Sequence, residues 1–159
     1  MNKKKIIVLM GLPGTGKTTL AKKIIYKLKK SNYSTLFLDG DMIRQSLSNY
    51  KYDHKSRVNL SKIYIKFAKK LLNQFDYIVL SSIMLYKEME NILIKDKNIY
   101  PFIIINKFSL NKNKKDIRKK YLNDIPNFYM SNVITIINNQ EVSKSVNMIV
   151  KKINLKLIS

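Results

Sequence analysis

The sequence predicts an α/β protein in which a five-stranded parallel sheet carries helices on both faces. Three observations predict it. Five runs of strand length are apolar throughout, the pattern of strands buried on both sides. Segments of helical length and periodicity separate them, as crossovers between parallel strands require. Three of the only four glycines in 159 residues fall between positions 11 and 16, directly after the first run. Glycine is entropically costly to order, so such a cluster marks a turn that needs positive φ or bare backbone. No repeat or linker divides the chain, and its length suits a single domain, residues 1–159.

The first run, "IIVLM" at 6–10, leads through the glycine turn into a helix from Thr18 to Lys30 with Leu20, Ile24, Ile25 and Leu28 at helical spacing. "TLFLDGD" reads as a second buried strand ending at a turn, and "MIRQSLSNY" as a short helix. Residues 56–73 then form a long helix, whose broad apolar face holds Val58, Leu60, Ile63, Ile65, Phe67, Ala68, Leu71 and Leu72. "YIVLSSIM" is the third strand, residues 86–95 another helix, and "YPFIII" the fourth strand, with Pro101 near its start where a missing amide is tolerated. Residues 111–124, "NKNKKDIRKKYLND", are lysine-dense and break the alternation. "NVITII" supplies the fifth strand and residues 141–156 a closing helix.

Composition removes several classes of function. No apolar run approaches the length needed to cross a bilayer, so no membrane span is expected. The opening "MNKKKIIVLM" imitates a secretion signal but runs into the glycine turn without a small-residue cleavage site, and a cytoplasmic location is expected. There is no cysteine and one histidine, His54, which argues against disulfides, thiolate chemistry and a zinc site. His54 itself reads as a loop residue. The net charge of +21 favours anionic partners, although a solvated lysine-rich surface gives the same number. Only three of the 31 basic residues are arginines, Arg44, Arg57 and Arg118, so each invites a question.

Gly11, four residues and then Gly16-Lys17-Thr18 complete the phosphate-binding loop pattern, placed between a strand and a helix as that motif requires. The expected class is therefore the P-loop NTPase fold. Backbone N–H groups of residues Gly11, Leu12, Pro13, Gly14, Thr15, Gly16, Lys17, Thr18 and Thr19, proline excepted, are positioned to surround ATP phosphates. Lys17 reaches the β and γ phosphates as a catalytic cation, and the Thr18 hydroxyl binds Mg²⁺. Guanine-specific switches use Asn-Lys-x-Asp, whereas Asn106-Lys107 is followed here by Phe108-Ser109, and no Asp-x-x-Gly occurs. A GTPase is disfavoured. ATPases end the third strand in a metal-holding carboxylate, but this strand ends in Ser81-Ser82.

The carboxylate must come from elsewhere, and only ten exist. Asp39 and Asp41 flank Gly40 at the end of the second strand, where open parallel sheets bind ligands. Arg44 follows Asp41 by three residues, on the same helical face. Phosphoryl transfer to an alcohol needs a carboxylate for the hydroxyl proton and a cation for an anionic acceptor, which this pair supplies. Asp41 as a helix N-cap and Arg44 as a surface residue is the plainer reading, and both can hold together.

"GLPGTGKTTLA" followed by "FLDGDMIRQSL" resembles the adenylylsulfate kinase family of phosphate-loop kinases, and "YDHKSRVNLSKIYIKFAKKL" and "VLSSIMLY" are similar to its acceptor-embracing segments. The likeness spans roughly residues 5–95, with weaker similarity near "NVITIINN". It implies an ATP- and Mg²⁺-dependent kinase acting on a hydroxyl, the ribose 3′-OH, of a small anionic nucleotide such as adenylylsulfate. "YDHKSR" and "SSIMLY" look closer to a branch acting on cytidine diphosphoramidate. By position, the resemblance makes Asp41 the catalytic carboxylate and, with Thr18, a metal ligand. It places Asp39, Arg44, Arg57, Ser82 and Ile83 on the acceptor side, with Asn59 a weaker candidate, and it admits a homodimer. The family's lid element contains glycine, whereas "NKFSLNKNKKDIRKKYL" does not; residues 111–124 are a candidate lid, with Arg118 closing over the phosphoryl group or simply solvated. Two rival readings use the same charge: a polynucleotide 5′-hydroxyl kinase, and a non-catalytic RNA-binding protein gated by nucleotide.

Overall fold

The computed structural model describes residues 4–48, 53–106, 130, 133–138 and 141–153. Among the described residues, five strands and five helices follow one another as β1 (Lys5–Met10), α1 (Lys17–Lys30), β2 (Thr35–Asp39), α2 (Gly40–Ser46), α3 (His54–Leu71), β3 (Tyr77–Ser82), α4 (Lys87–Lys95), β4 (Ile99–Ile105), β5 (Ile134–Ile137) and α5 (Val142–Lys152). The strands form one sheet in the order β2-β3-β1-β4-β5, and every neighbouring pair is parallel.

β1 lies at the centre, and Ile6 through Met10 are all 0% exposed. Its side chains alternate between two layers, as the pleat demands. Ile6, Val8 and Met10 pack with Leu60, Tyr64 and Met89 from α3 and α4, while Ile7 and Leu9 pack with Leu20, Ile24 and Ile149 from α1 and α5. Burial on both faces is why this strand reads as an unbroken apolar run. The parallel register sets Met10 beside Ser82 and Asp39 beside Ser81, so the carboxyl ends of β1, β2 and β3 finish at one level.

Some expectations shift. β2 and β5 are the outer strands of this sheet, and neither is buried like β1. In β5 Ile136 is buried against α5, but Ile137 is 51% exposed, because an edge strand is covered less completely. α3 begins two residues earlier than its apolar face suggests, because Asp53 caps it by accepting a hydrogen bond from Ser56 N (2.9 Å). His54 therefore opens a helix and is not in a loop. α2 is capped by Asp39 rather than Asp41; the Asp39 carboxylate accepts from the backbone N–H groups of Asp41 (2.9 Å) and Met42 (3.5 Å). Segment 111–124 with Arg118, and the last residues of the predicted closing helix, lie outside the described residues. No described helix is long and apolar enough to cross a membrane.

Candidate active site

The loop between β1 and α1 is shaped by close approach. A Cβ added at Gly11 would stand 2.5 Å from the Ile104 carbonyl oxygen and 3.0 Å from Thr15 Oγ1. Gly16 has φ of 89°, and a Cβ there would collide with the Asn138 side-chain amide. Both ends of the loop thus lean on the ends of β4 and β5, and only glycine fits. Inside the loop, Thr15 Oγ1 (2.9 Å) and Lys17 Nζ (2.7 Å) both donate to the Leu12 carbonyl. The first turn of α1 carries no acidic residue to offset its positive helix end. Burial lowers the Lys17 pKa from 10.5 to about 8, against the pull of the Asp41 and Asp39 carboxylates.

Opposite the loop stands the Asp39-Gly40-Asp41 turn. A Cβ on Gly40 would lie 2.9 Å from Ser82 Oγ and 3.0 Å from the Ser81 carbonyl oxygen, so the turn rests directly on the end of β3. Thr18 Oγ1 donates to Asp39 Oδ2 at 3.3 Å. The carboxylate bonded to Thr18 is therefore Asp39, which the resemblance put on the acceptor side, and not Asp41. Asp41 instead shares a cleft of about 400 Å³ with Pro13, Gly14, Gly16, Lys17, Thr18 and Thr19 on one side and Ser81, Ser82 and Ile83 on the other.

Arg44 and Arg57 stand outside that lining, each beside a buried tyrosine. Tyr64 donates its hydroxyl to the Gly40 carbonyl (2.7 Å), and burial pushes its pKa up to about 12 although Arg44 nearby pulls the other way. Arg57, only 5% exposed in the first turn of α3, hydrogen-bonds the Tyr86 phenol; burial raises the Tyr86 pKa, and Arg57 and Arg44 oppose that rise. His54 Nε2 pairs with Glu88 Oε1 (2.7 Å) and sets its ring edge-on to Tyr86, 5.5 Å between centroids. Asn59 is exposed on α3.

Sequence reasoning missed Tyr64, Tyr86 and Asn138. Asn138 follows the last residue of β5, and its position just beyond the carboxyl end of a parallel strand was the available signal.

The adenylylsulphate kinase family model matches residues 3–121. Among curated proteins, the chain is 36% identical to cytidine diphosphoramidate kinase of Campylobacter jejuni over 104 residues, covering 65% of this chain and 61% of that protein. It is 38% identical over 84 residues to the probable adenylyl-sulfate kinase of Pyrococcus abyssi, covering 52% of this chain and 48% of the relative. The matches thus span less than two thirds of either relative's length. The fold resembles that of Mycobacterium tuberculosis APS kinase in complex with AMPPNP and APS, with a TM-score of 0.75 at 16% identity over 98% of this chain and 100% of that one. Shikimate kinase from Aquifex aeolicus shares it more distantly, with a TM-score of 0.58 at 17% identity over 94% of this chain and 96% of that one. With the family match extending across the phosphate loop, the Asp39-Gly40-Asp41 turn and the strand ends that form the cleft, this chain belongs to the adenylylsulphate kinase family.

Proposed function

We propose that this chain is an ATP-dependent kinase that transfers the γ-phosphoryl group to the ribose 3′-OH of a small anionic nucleotide, of the adenylylsulfate or cytidine diphosphoramidate kind. The observation that carries the reading is the single cleft in which Lys17 and Thr18 face Asp41 and the Ser81–Ile83 segment. Its volume falls in the range of small-molecule sites. The acceptor oxygen bonds to the γ phosphorus, the bond to the β-phosphate oxygen breaks, and the hydroxyl proton passes to Asp41. Lys17 and the loop N–H groups offset charge on the β and γ oxygens. The family resemblance assigns the acceptor anion to Arg44 and Arg57, which stand outside the cleft lining beside Tyr64 and Tyr86.

The donor set fits Mg²⁺, which takes few protein oxygens and keeps waters and substrate phosphates. Thr18 Oγ1 and the Asp39 carboxylate are adjacent oxygen donors, and no cluster of three acidic or histidine ligands occurs among the described residues. These two residues would hold the ion, which neutralises charge on the β and γ oxygens when bound. Support for the acceptor class comes from the relatives named for cytidine diphosphoramidate and adenylyl sulfate.

The test is incubation with Mg·ATP and a panel of adenylylsulfate, cytidine diphosphoramidate, nucleosides and oligonucleotides. Transfer to one of the small nucleotides is expected, with Asp41→Asn abolishing it while nucleotide binding persists. Labelling of oligonucleotide ends alone, or full turnover by Asp41→Asn, would overturn this reading.

A further inference from the structure

We propose that Asn138 is a positioning residue for the phosphate loop, fixing the peptide between Thr15 and Gly16 so that the Gly16 N–H is held ready for a phosphate oxygen. This rests on the nucleotide-site reading above. Asn138 lies 123 residues from Thr15 in sequence, yet its Nδ2 donates to the Thr15 carbonyl at 3.0 Å. Its Oδ1 accepts from Ser145 Oγ at 3.3 Å, and its backbone N–H donates to the Ile105 carbonyl at 2.7 Å. Asn138 and Ser145 are both buried. The Thr15 carbonyl accepts only, so the amide must turn its N–H₂ toward the loop and its oxygen toward Ser145.

The consequence follows from peptide geometry. In a trans peptide the C=O and the next N–H point in opposite directions within one plane. A bond that holds the Thr15 carbonyl toward Asn138 therefore aims the Gly16 N–H away from it, and Gly16 lines the cleft. Gly16 itself packs so tightly against Asn138 that any side chain there would collide with the amide. Gly16 φ of 89° also belongs to the left-handed region, where a glycine has alternatives to abandon; the asparagine removes them. Preorganised donors of this kind bind without having to reorganise.

Four glycines make the test direct, because protein labelled with ¹⁵N-glycine gives four backbone signals. In the unaltered protein, saturating Mg·ADP is expected to move the Gly16 signal strongly downfield, as a hydrogen bond to phosphate does. Asn138→Ala is expected to weaken Mg·ADP binding about tenfold in calorimetry, because the Gly16 N–H must then be ordered at the moment of binding, and to shrink the Gly16 shift even at saturation. Ser145→Ala, which frees the amide on its other side, is expected to give a smaller loss of the same kind and serves if the first variant does not fold. A purely structural role would lower the denaturation midpoint without touching the Gly16 shift at saturation. Wild-type affinity and shift in a folded Asn138→Ala variant, or in Ser145→Ala if only that folds, would overturn the proposal alone. No glycine signal moving in the unaltered protein would overturn the nucleotide site itself.

Discussion

Removing one oxygen atom from Tyr64 tests the link between α3 and the Asp39-Gly40-Asp41 turn, together with the phenol's contact to Arg44. The Tyr64 ring is 2% exposed, and its hydroxyl reaches the carbonyl of Gly40, a buried residue, at 2.7 Å. Tyr64→Phe keeps the ring packing and leaves that carbonyl without its phenol. A buried acceptor orphaned in this way costs about 1–2 kcal/mol. For a domain of this size that corresponds to a fall in Tm of about 3–6 °C. Urea denaturation should show a lower midpoint with an unchanged slope, since the surface exposed on unfolding is the same. The phenol pKa is raised from 10.0 to about 12, so the stabilisation is complete below the unfolded value of 10.0 and fades only as pH climbs toward about 12. The difference between the two proteins should therefore be constant from about pH 6 to 9. Because Gly40 precedes Asp41, kcat should fall while affinity for Mg·ADP stays level. A variant within about 0.5 kcal/mol of the parent would refute the reasoning, because surface substitutions give that much.

Lys17 makes nucleotide affinity depend on pH. Its pKa in the free protein is lowered to about 8, and polyphosphate binds the protonated form, so affinity for Mg·ADP is full below that pH and weakens above it. Calorimetry should show roughly tenfold weaker binding at about pH 9 than at about pH 7, and a Lys17→Arg variant should show no such slope; equal affinity at both for the parent would sink the idea. Gly11→Ala should cost about 2–4 kcal/mol, because the new methyl meets a backbone carbonyl that cannot swing aside, and thermal unfolding at parental temperature would show that the loop has slack.

What could be read from the sequence is what local pattern encodes. The central strand is apolar throughout because both its faces are covered, and glycines cluster in the loop because Gly11 and Gly16 press against the ends of β4 and β5, where a Cβ would collide. Asp39 and Asp41 were recognisable as a pair, but their division of labour was not. Which of them caps α2 and which meets Thr18 depends on where the turn sits against Ser81 and Ser82, a contact between separate strands. The edge position of β5 was hidden for a related reason, since an apolar run does not say how many neighbours cover it. His54 looked like part of a loop because the signal that starts α3, the Asp53 cap, is a single residue upstream of the apolar periodicity. Tyr64 and Tyr86 blend into an apolar helix face and a loop, and their phenols matter only through partners far along the chain.

The seat of Gly40 on the end of β3 ties the position of two carboxylates to a single glycine. A Cβ at position 40 would meet Ser82 Oγ at 2.9 Å and the Ser81 carbonyl oxygen at 3.0 Å, so any side chain there would push the turn off the end of β3. β3 ends in Ser81 and Ser82, whose hydroxyls are weak bases, so the acidic groups at this end of the sheet come from the Asp39-Gly40-Asp41 turn. The carboxylates of the cleft therefore ride on that contact, and a shift of Gly40 away from β3 would carry Asp39 and Asp41 away from Thr18 and Lys17 together.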